Sequence, residues 1–224
     1  MSKRLKEAQA KIDKTKKYTT EEAISLIKET SKVKFDATVE VHVKLNIDSK
    51  KSDQQIRASV KLPNSTGQTK RIAAFVDKAK VKEVKEAGAI IAGGEDLINE
   101  IKKTNKTDFD IVIATPDMMS KLAIIAKILG QKGLMPNPKS GTISTDPAKV
   151  IKELNSGMIS FKNDTSGNLH VAVAKISFED KVIQQNVDAF IEELKRSKPD
   201  GVKSTFIKTI YLSSSMGPSV QLAF

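Results

Sequence analysis

The chain has 224 residues, 39% of them apolar, enough for one large domain or two small ones with a real core. Its 38 Lys and Arg outnumber 27 Asp and Glu for a net charge of +11, which favours a polyanionic partner such as nucleic acid. Cysteine is absent, which excludes disulfides, a thiolate nucleophile and a cysteine-based zinc site. The opening Met1-Ser2-Lys3-Arg4-Leu5-Lys6 has no apolar stretch behind it, and no segment is long and apolar enough to cross a membrane. The expectation is a cytoplasmic protein without membrane contact.

Residues 1–17 carry seven basic side chains (Lys14 among them) and two acidic ones, so this segment reads either as a solvated arm or as a tail that neutralises phosphates. Thr19-Thr20-Glu21-Glu22 has capping-box spacing and predicts a short helix through Lys28. Val39–Leu45 is apolar at odd positions and polar at even ones, the pattern of a strand with one face on a core and the other open. Ile72–Val76 and Ile111–Ala114 are continuous apolar runs with helical patterns between and after them, as in buried parallel strands. Thr115-Pro116-Asp117 predicts an N-capped helix running towards Leu129 and stopping at Gly130. Alternation returns at Leu169–Ala174; Ile183, Val187, Phe190, Ile191 and Leu194 form a helical stripe, and Thr205–Ser213 predicts a last strand.

Open-faced strands thus flank a parallel-type middle. The economical topology is a host domain from residues 1–66 and 157–224, with residues 67–156 inserted as an α/β sandwich.

The middle segment raises the possibility of a Rossmann-type nucleotide-dependent enzyme. Ile72–Val76 is followed by Asp77-Lys78-Ala79-Lys80, which lacks the glycines a pyrophosphate needs, and Gly93-Gly94 precedes the repelling carboxylates Glu95-Asp96. The two histidines, His42 and His170, have no metal-ligand spacing and read as surface strand residues. Binding without catalysis, cofactor or metal is the expectation. A DNA-binding regulator is a third possibility, separable from an RNA reader by competition with duplex DNA at fixed salt.

Four stretches look built for contact. Lys34–Glu40 leads an aromatic residue and a hydroxyl into the first strand. Gly133–Thr142, with two prolines and two glycines, is a stiff loop, either an interdomain hinge or a contact loop. Asn163–Gly167 reads as a hairpin turn with Lys162 and His170 near its ends. Ser213–Ser219 offers three hydroxyls, then Met216 and a glycine, Gly217, that would let a partner approach closely; such a surface suits ribose hydroxyls.

The stretches KFDATVEVHVKLNID (34–48), ATPD (114–117), ILGQKGLMPNPKSGT (128–142), FKNDTSGNLH (161–170) and SSSMGPSV (213–220), in this order, resemble the bacterial large-ribosomal-subunit protein L-one family. The resemblance implies an α/β fold of two domains. One is a split β-α-β (ferredoxin-like) RNA-binding domain from both chain ends; the other is an inserted Rossmann-like three-layer α/β domain. It implies a monomer, when free of the ribosome, that binds the mobile stalk of large-subunit ribosomal RNA beside the exit site. It further implies assistance to the release of deacylated exit-site tRNA and repression of translation of its own operon mRNA. By motif position the RNA contacts would be Phe35, Thr38, Lys162, His170, Lys175, Thr209, Ser215, Met216 and Gly217, with Lys34 flanking. Where the family often has threonines before Met-Gly-Pro, Ser213, Ser214 and Ser215 keep the hydroxyls and lose the methyls.

Overall fold

The computed structural model describes residues 3–13, 15–67, 70–202 and 205–224, with the side chain of Lys139 left aside. Met1, Ser2 and Lys14, counted above in the amino-terminal segment, lie outside the described residues. The first half runs α1 (Lys3–Ala10), α2 (Thr20–Thr30), β1 (Thr38–Leu45), β2 (Arg57–Lys61), β3 (Ile72–Phe75), α3 (Val81–Glu86), β4 (Ile91–Gly93) and α4 (Glu95–Thr104). It continues with β5 (Ile111–Ala114), α5 (Pro116–Leu122), α6 (Ala126–Gln131), α7 (Pro147–Asn155), β6 (Met158–Lys162), β7 (Asn168–Lys175), α8 (Asp180–Arg196), β8 (Ile207–Ser214) and β9 (Ser219–Gln221). The fold is mixed α/β with several sheets, and the chain divides into two compact units, 1–67 with 159–224, and 68–158.

In the first unit β1 is a central strand, paired antiparallel with β7 on one side and β8 on the other, in the order β7-β1-β8-β9. Its odd positions Val39, Val41, Val43 and Leu45 are at most 2% exposed and join one core with Leu169, Val173, Ile210, Leu212 and Val220. The α8 stripe of Ile183, Val187, Phe190, Ile191 and Leu194 closes that core, with Ile24 and Ile27 of α2 beside it. Each such side chain contributes about 1.5–3 kcal/mol by leaving water. The rings of Phe161 and Phe190 meet edge to face with centroids 5.3 Å apart.

The capping box opens α2: Glu22 N–H donates to Thr19 Oγ1 at 3.3 Å and Thr19 N–H to Glu22 Oε2 at 3.1 Å. The amino-terminal segment departs from the solvated arm of the sequence reading. It forms α1, and Ala8 and Ile12 are buried, because a helical turn gives this basic segment one apolar side.

Asn163–Gly167 is a tight turn, but its flanking strands do not form a hairpin. Gly167 (φ +76°) donates to Asp164 O at 3.2 Å, while β6 pairs with β2 in a separate two-stranded sheet and β7 pairs with β1. Strands β2, β4 and β9 had no counterpart in the sequence reading. They are short, and at three to five residues their period is not legible.

In the second unit β3 lies between β4 and β5, all parallel. Successive residues of β3 feed opposite faces: Ala73 and Phe75 pack with Ile98, Met118 and Leu122, whereas Ile72 and Ala74 pack with Val84, Val150 and Ile151. The helix expected from Pro116 to Leu129 is broken by a 3₁₀ turn at Ala123–Ile125 and resumes through Gly130 to Gln131. Thr115 sits at the cap position with extended backbone, yet its hydroxyl is buried and makes no capping bond. Residues 133–142 lie within this unit, held to the end of β5 by Ala114 N–H to Thr142 O at 3.1 Å and cross-linked by Asn137 N–H to Thr142 Oγ1 at 2.8 Å.

Asn186, on α8, is wholly buried. Its amide donates to Val173 O at 2.8 Å and Asn64 O at 3.2 Å, and its oxygen accepts Asn64 N–H at 3.1 Å, tying the loop after β2 to β7. Asn186→Leu adds apolar surface but strands these three backbone groups. We expect a loss of about 1–3 kcal/mol in urea unfolding; unchanged stability would show the network to be dispensable.

Candidate nucleic-acid interface

Because directly opposed residues of an antiparallel sheet share a face, the even positions of β1 generate a polar sheet surface. Glu40, His42 and Lys44 lie between Ala172, His170 and Asn168 of β7 on one side and Ser213, Tyr211 and Thr209 of β8 on the other. Gln221 and Ser219 of β9 extend it beyond Tyr211 and Ser213. The α2 and α8 stripes pack on the odd positions, behind this face.

His42 stands at its centre. Its Nδ1 lies 2.8 Å from Nδ1 of His170, its Nε2 lies 2.9 Å from Ser213 Oγ, and Glu40 is 3.7 Å away. The Nδ1 contact requires one ring to donate and the other to accept, so at least one imidazole is neutral there. Burial is the main cause that lowers the His42 pKa from its ordinary value; a charged His170 lowers it further and Glu40 opposes them. Asp164, held ionised chiefly by the Asn168 backbone N–H, lies 3.8 Å from His170 Nε2.

At one end of the face the candidate residues converge. Lys175 Nζ donates to Thr38 Oγ1 at 3.0 Å and to Asp36 O at 3.2 Å. Ser215 N–H donates to Thr38 O at 2.9 Å, and Ser215 Oγ donates to Glu40 Oε1 at 3.1 Å. Gly217 N–H donates to Ser214 O at 2.8 Å, closing a β-turn in which Met216 has φ +64° and is 71% exposed. A left-handed methionine costs about 1–2 kcal/mol. Arg4 of α1 donates to Met216 O at 3.2 Å and to Lys32 O at 3.0 Å, bracing the turn. Lys34 and Phe35 are exposed just before β1.

Thus Thr38, Lys175, Ser215, Met216 and Gly217 are brought together, and His170 is joined to the same sheet through His42. Thr209 lies at the opposite end of the face, across from Lys44, and Lys162 belongs to β6 in the other sheet. Gly217 has an intramolecular reason to be glycine: a Cβ there would sit 2.1 Å from Ser214 Oγ and 3.2 Å from Ser214 O. The sequence offers Arg4 only as one of the basic residues of the amino-terminal segment and gives no contact role to His42 or Tyr211. Strand alternation is the signal available for His42 and Tyr211, whereas the bracing of the Met216 turn by Arg4 exists only in the tertiary contact. Among the described residues no cluster of three or more His, Asp or Glu side chains could hold a metal ion.

The His42 shift has a consequence for stability. The unfolded chain takes up the His42 proton at the ordinary histidine value, whereas the folded chain resists it to lower pH. Stability is therefore full above the ordinary value and lost as pH falls through it towards the lowered one. Between about pH 8 and pH 5, His42→Gln should flatten the part of the urea-midpoint profile due to this group. A variant profile parallel to that of the parent would assign the loss to other groups.

The Ribosomal protein L1p/L10e family model matches residues 27–218. The large ribosomal subunit protein uL1 of Mycoplasma capricolum subsp. capricolum is 49% identical over 100% of this chain and 99% of its own. The uL1 proteins of Thermosipho melanesiensis (46% identical; 99% of this chain, 95% of the relative) and Chloroflexus aggregans (47%; 95% and 91%) are similar to it along nearly their whole lengths. This chain belongs to the ribosomal protein L1 family.

Proposed function

We propose that the polar face of the β7-β1-β8-β9 sheet and the Ser214–Gly217 turn bind the mobile stalk of large-subunit ribosomal RNA near the exit site. Membership of the family makes the chain a structural protein of the large ribosomal subunit and an RNA-binding protein of translation. The finer reading adds assistance to release of deacylated exit-site tRNA and repression of its own operon mRNA, by binding without catalysis. In it, Lys34, Phe35, Thr38, Lys162, His170, Lys175, Thr209, Ser215, Met216 and Gly217 contact RNA. A host domain from 1–66 and 157–224 carries the site, residues 67–156 form the insert, and the free protein is a monomer.

The observation that carries this is Met216. A large apolar side chain held in a strained backbone conformation, braced by Arg4 and 71% exposed to solvent, leaves most of its apolar surface unburied in its own fold. Around it lie hydroxyls and a lysine, groups suited to ribose hydroxyls and phosphates.

Met216→Gly separates fold from function. Relief of the positive φ should leave the chain as stable or up to about 1 kcal/mol more so. Binding to folded stalk RNA should weaken by about 1–3 kcal/mol, because a buried contact is lost. Filter-binding titration with circular dichroism reads both, and unchanged affinity would count against the assignment. A chain joining residues 1–66 directly to 157–224 should keep most of the affinity; a folded chain of this kind that fails to bind would move part of the site into 67–156.

A further inference from the structure

We infer that a cavity beside the open sheet face, floored by Tyr211 and Gln221 and walled by α1, is a subsite for one unstacked nucleobase bearing an exocyclic amino group. The inference rests on the RNA-binding reading above and adds to it a base-reading element outside the residues assigned there.

The cavity has a volume of about 170 Å³. That is below the roughly 300–1,000 Å³ of sites that enclose whole small molecules, and suits a single flat ring. Its floor is the polar face itself: Tyr211 and Gln221 are cross-strand partners, and Ser219 stands opposite Ser213. The phenol ring offers a stacking surface. The wall comes from Gln9 of α1 and from Ile12 and Asp13 just after it, with Ile12 anchored in the core at the cavity's apolar side. Pro218 forms the remaining edge, next to the Met216 turn.

The lining chemistry selects among nucleic-acid parts. Gln9 and Gln221 each offer an amide donor and acceptor, the complement of a base edge. The Asp13 carboxylate is held ionised, first by hydrogen bonds from Thr15 and also by Lys16. A carboxylate repels a phosphate and accepts from an amino group, so the cavity suits a base edge and not the backbone. Adenine, cytosine and guanine meet this donor requirement; uracil, with no exocyclic amino group, does not. The position also suits a folded RNA: the backbone would follow the hydroxyl and lysine groups around Thr38 and Lys175 while one base turns into the cavity.

The test uses the full chain and four nucleosides (adenosine, cytidine, guanosine, uridine), with ribose 5-phosphate as the backbone control. Side-chain amide resonances of Gln9 and Gln221 are followed by NMR. Adenosine, cytidine and guanosine should shift them saturably and at least several-fold more tightly than uridine, ribose 5-phosphate should not, and Tyr211→Leu should abolish the response. Asp13→Asn, which turns an obligate acceptor into a donor and acceptor, should narrow the gap between cytidine and uridine. Absence of any nucleoside response, an equal response to ribose 5-phosphate, or a response that survives Tyr211→Leu in a chain folded by circular dichroism would overturn the subsite. Stalk-RNA affinity measured on the same samples keeps the two readings apart. Stalk binding without a nucleoside response refutes the cavity alone, and loss of both refutes the RNA-binding reading as well.

Discussion

The pleat of β1 is the constraint on which the first unit depends. A strand with neighbours on both edges has no freedom left in its hydrogen bonds, so its side chains must divide between two faces. Val39, Val41, Val43 and Leu45 take the buried one, under α2 and α8. Glu40, His42 and Lys44 are then committed to the other, whatever chemistry they carry. A slip of one residue would bury two charges and a histidine and expose four aliphatic side chains. The apolar pattern therefore sets the register, and the register assembles the polar face from β7, β8 and β9.

Local devices then shape that face. Irregularities in pairing interrupt both ladders of β1, between Val39 and Glu40 towards β7 and between Lys44 and Leu45 towards β8. Such irregularities re-aim side chains at sheet ends. Next to the first of them Lys175 reaches Thr38, and Ser215 reaches both Thr38 and Glu40. The turn that follows holds Met216 at positive φ, and Ser214 Oγ is buried there without a hydrogen-bond partner. Strain and an unsatisfied hydroxyl within one three-residue stretch of an otherwise well-bonded sheet mark a segment whose sequence answers to something besides folding.

The paired histidines illustrate how tertiary placement changes the chemistry of a residue. Taken singly, each is a polar residue on an open strand face. Placed opposite one another, with Ser213 and Glu40 on one ring and Asp164 near the other, they share a hydrogen bond that tolerates only limited protonation.

What the sequence determined by itself was local. The capping box at Thr19–Glu22, the alternation of β1 and β7, the apolar runs of β3 and β5 and the stripe of α8 are all written within a few residues, because helix and strand periods and caps act over one or two turns. The motifs GLMPNPKSGT and SSSMGPSV also carried the family resemblance without any structure. Tertiary structure alone decided which strands pair, and hence that β6 leaves its neighbour for β2, that α1 folds onto the core, and that His42 meets His170 across 128 positions. It decided likewise that Arg4 braces the Met216 turn and that Tyr211 floors a cavity. These outcomes depend on the free energy of burying distant apolar faces together. No short window of sequence contains that quantity, since it belongs to both partners at once.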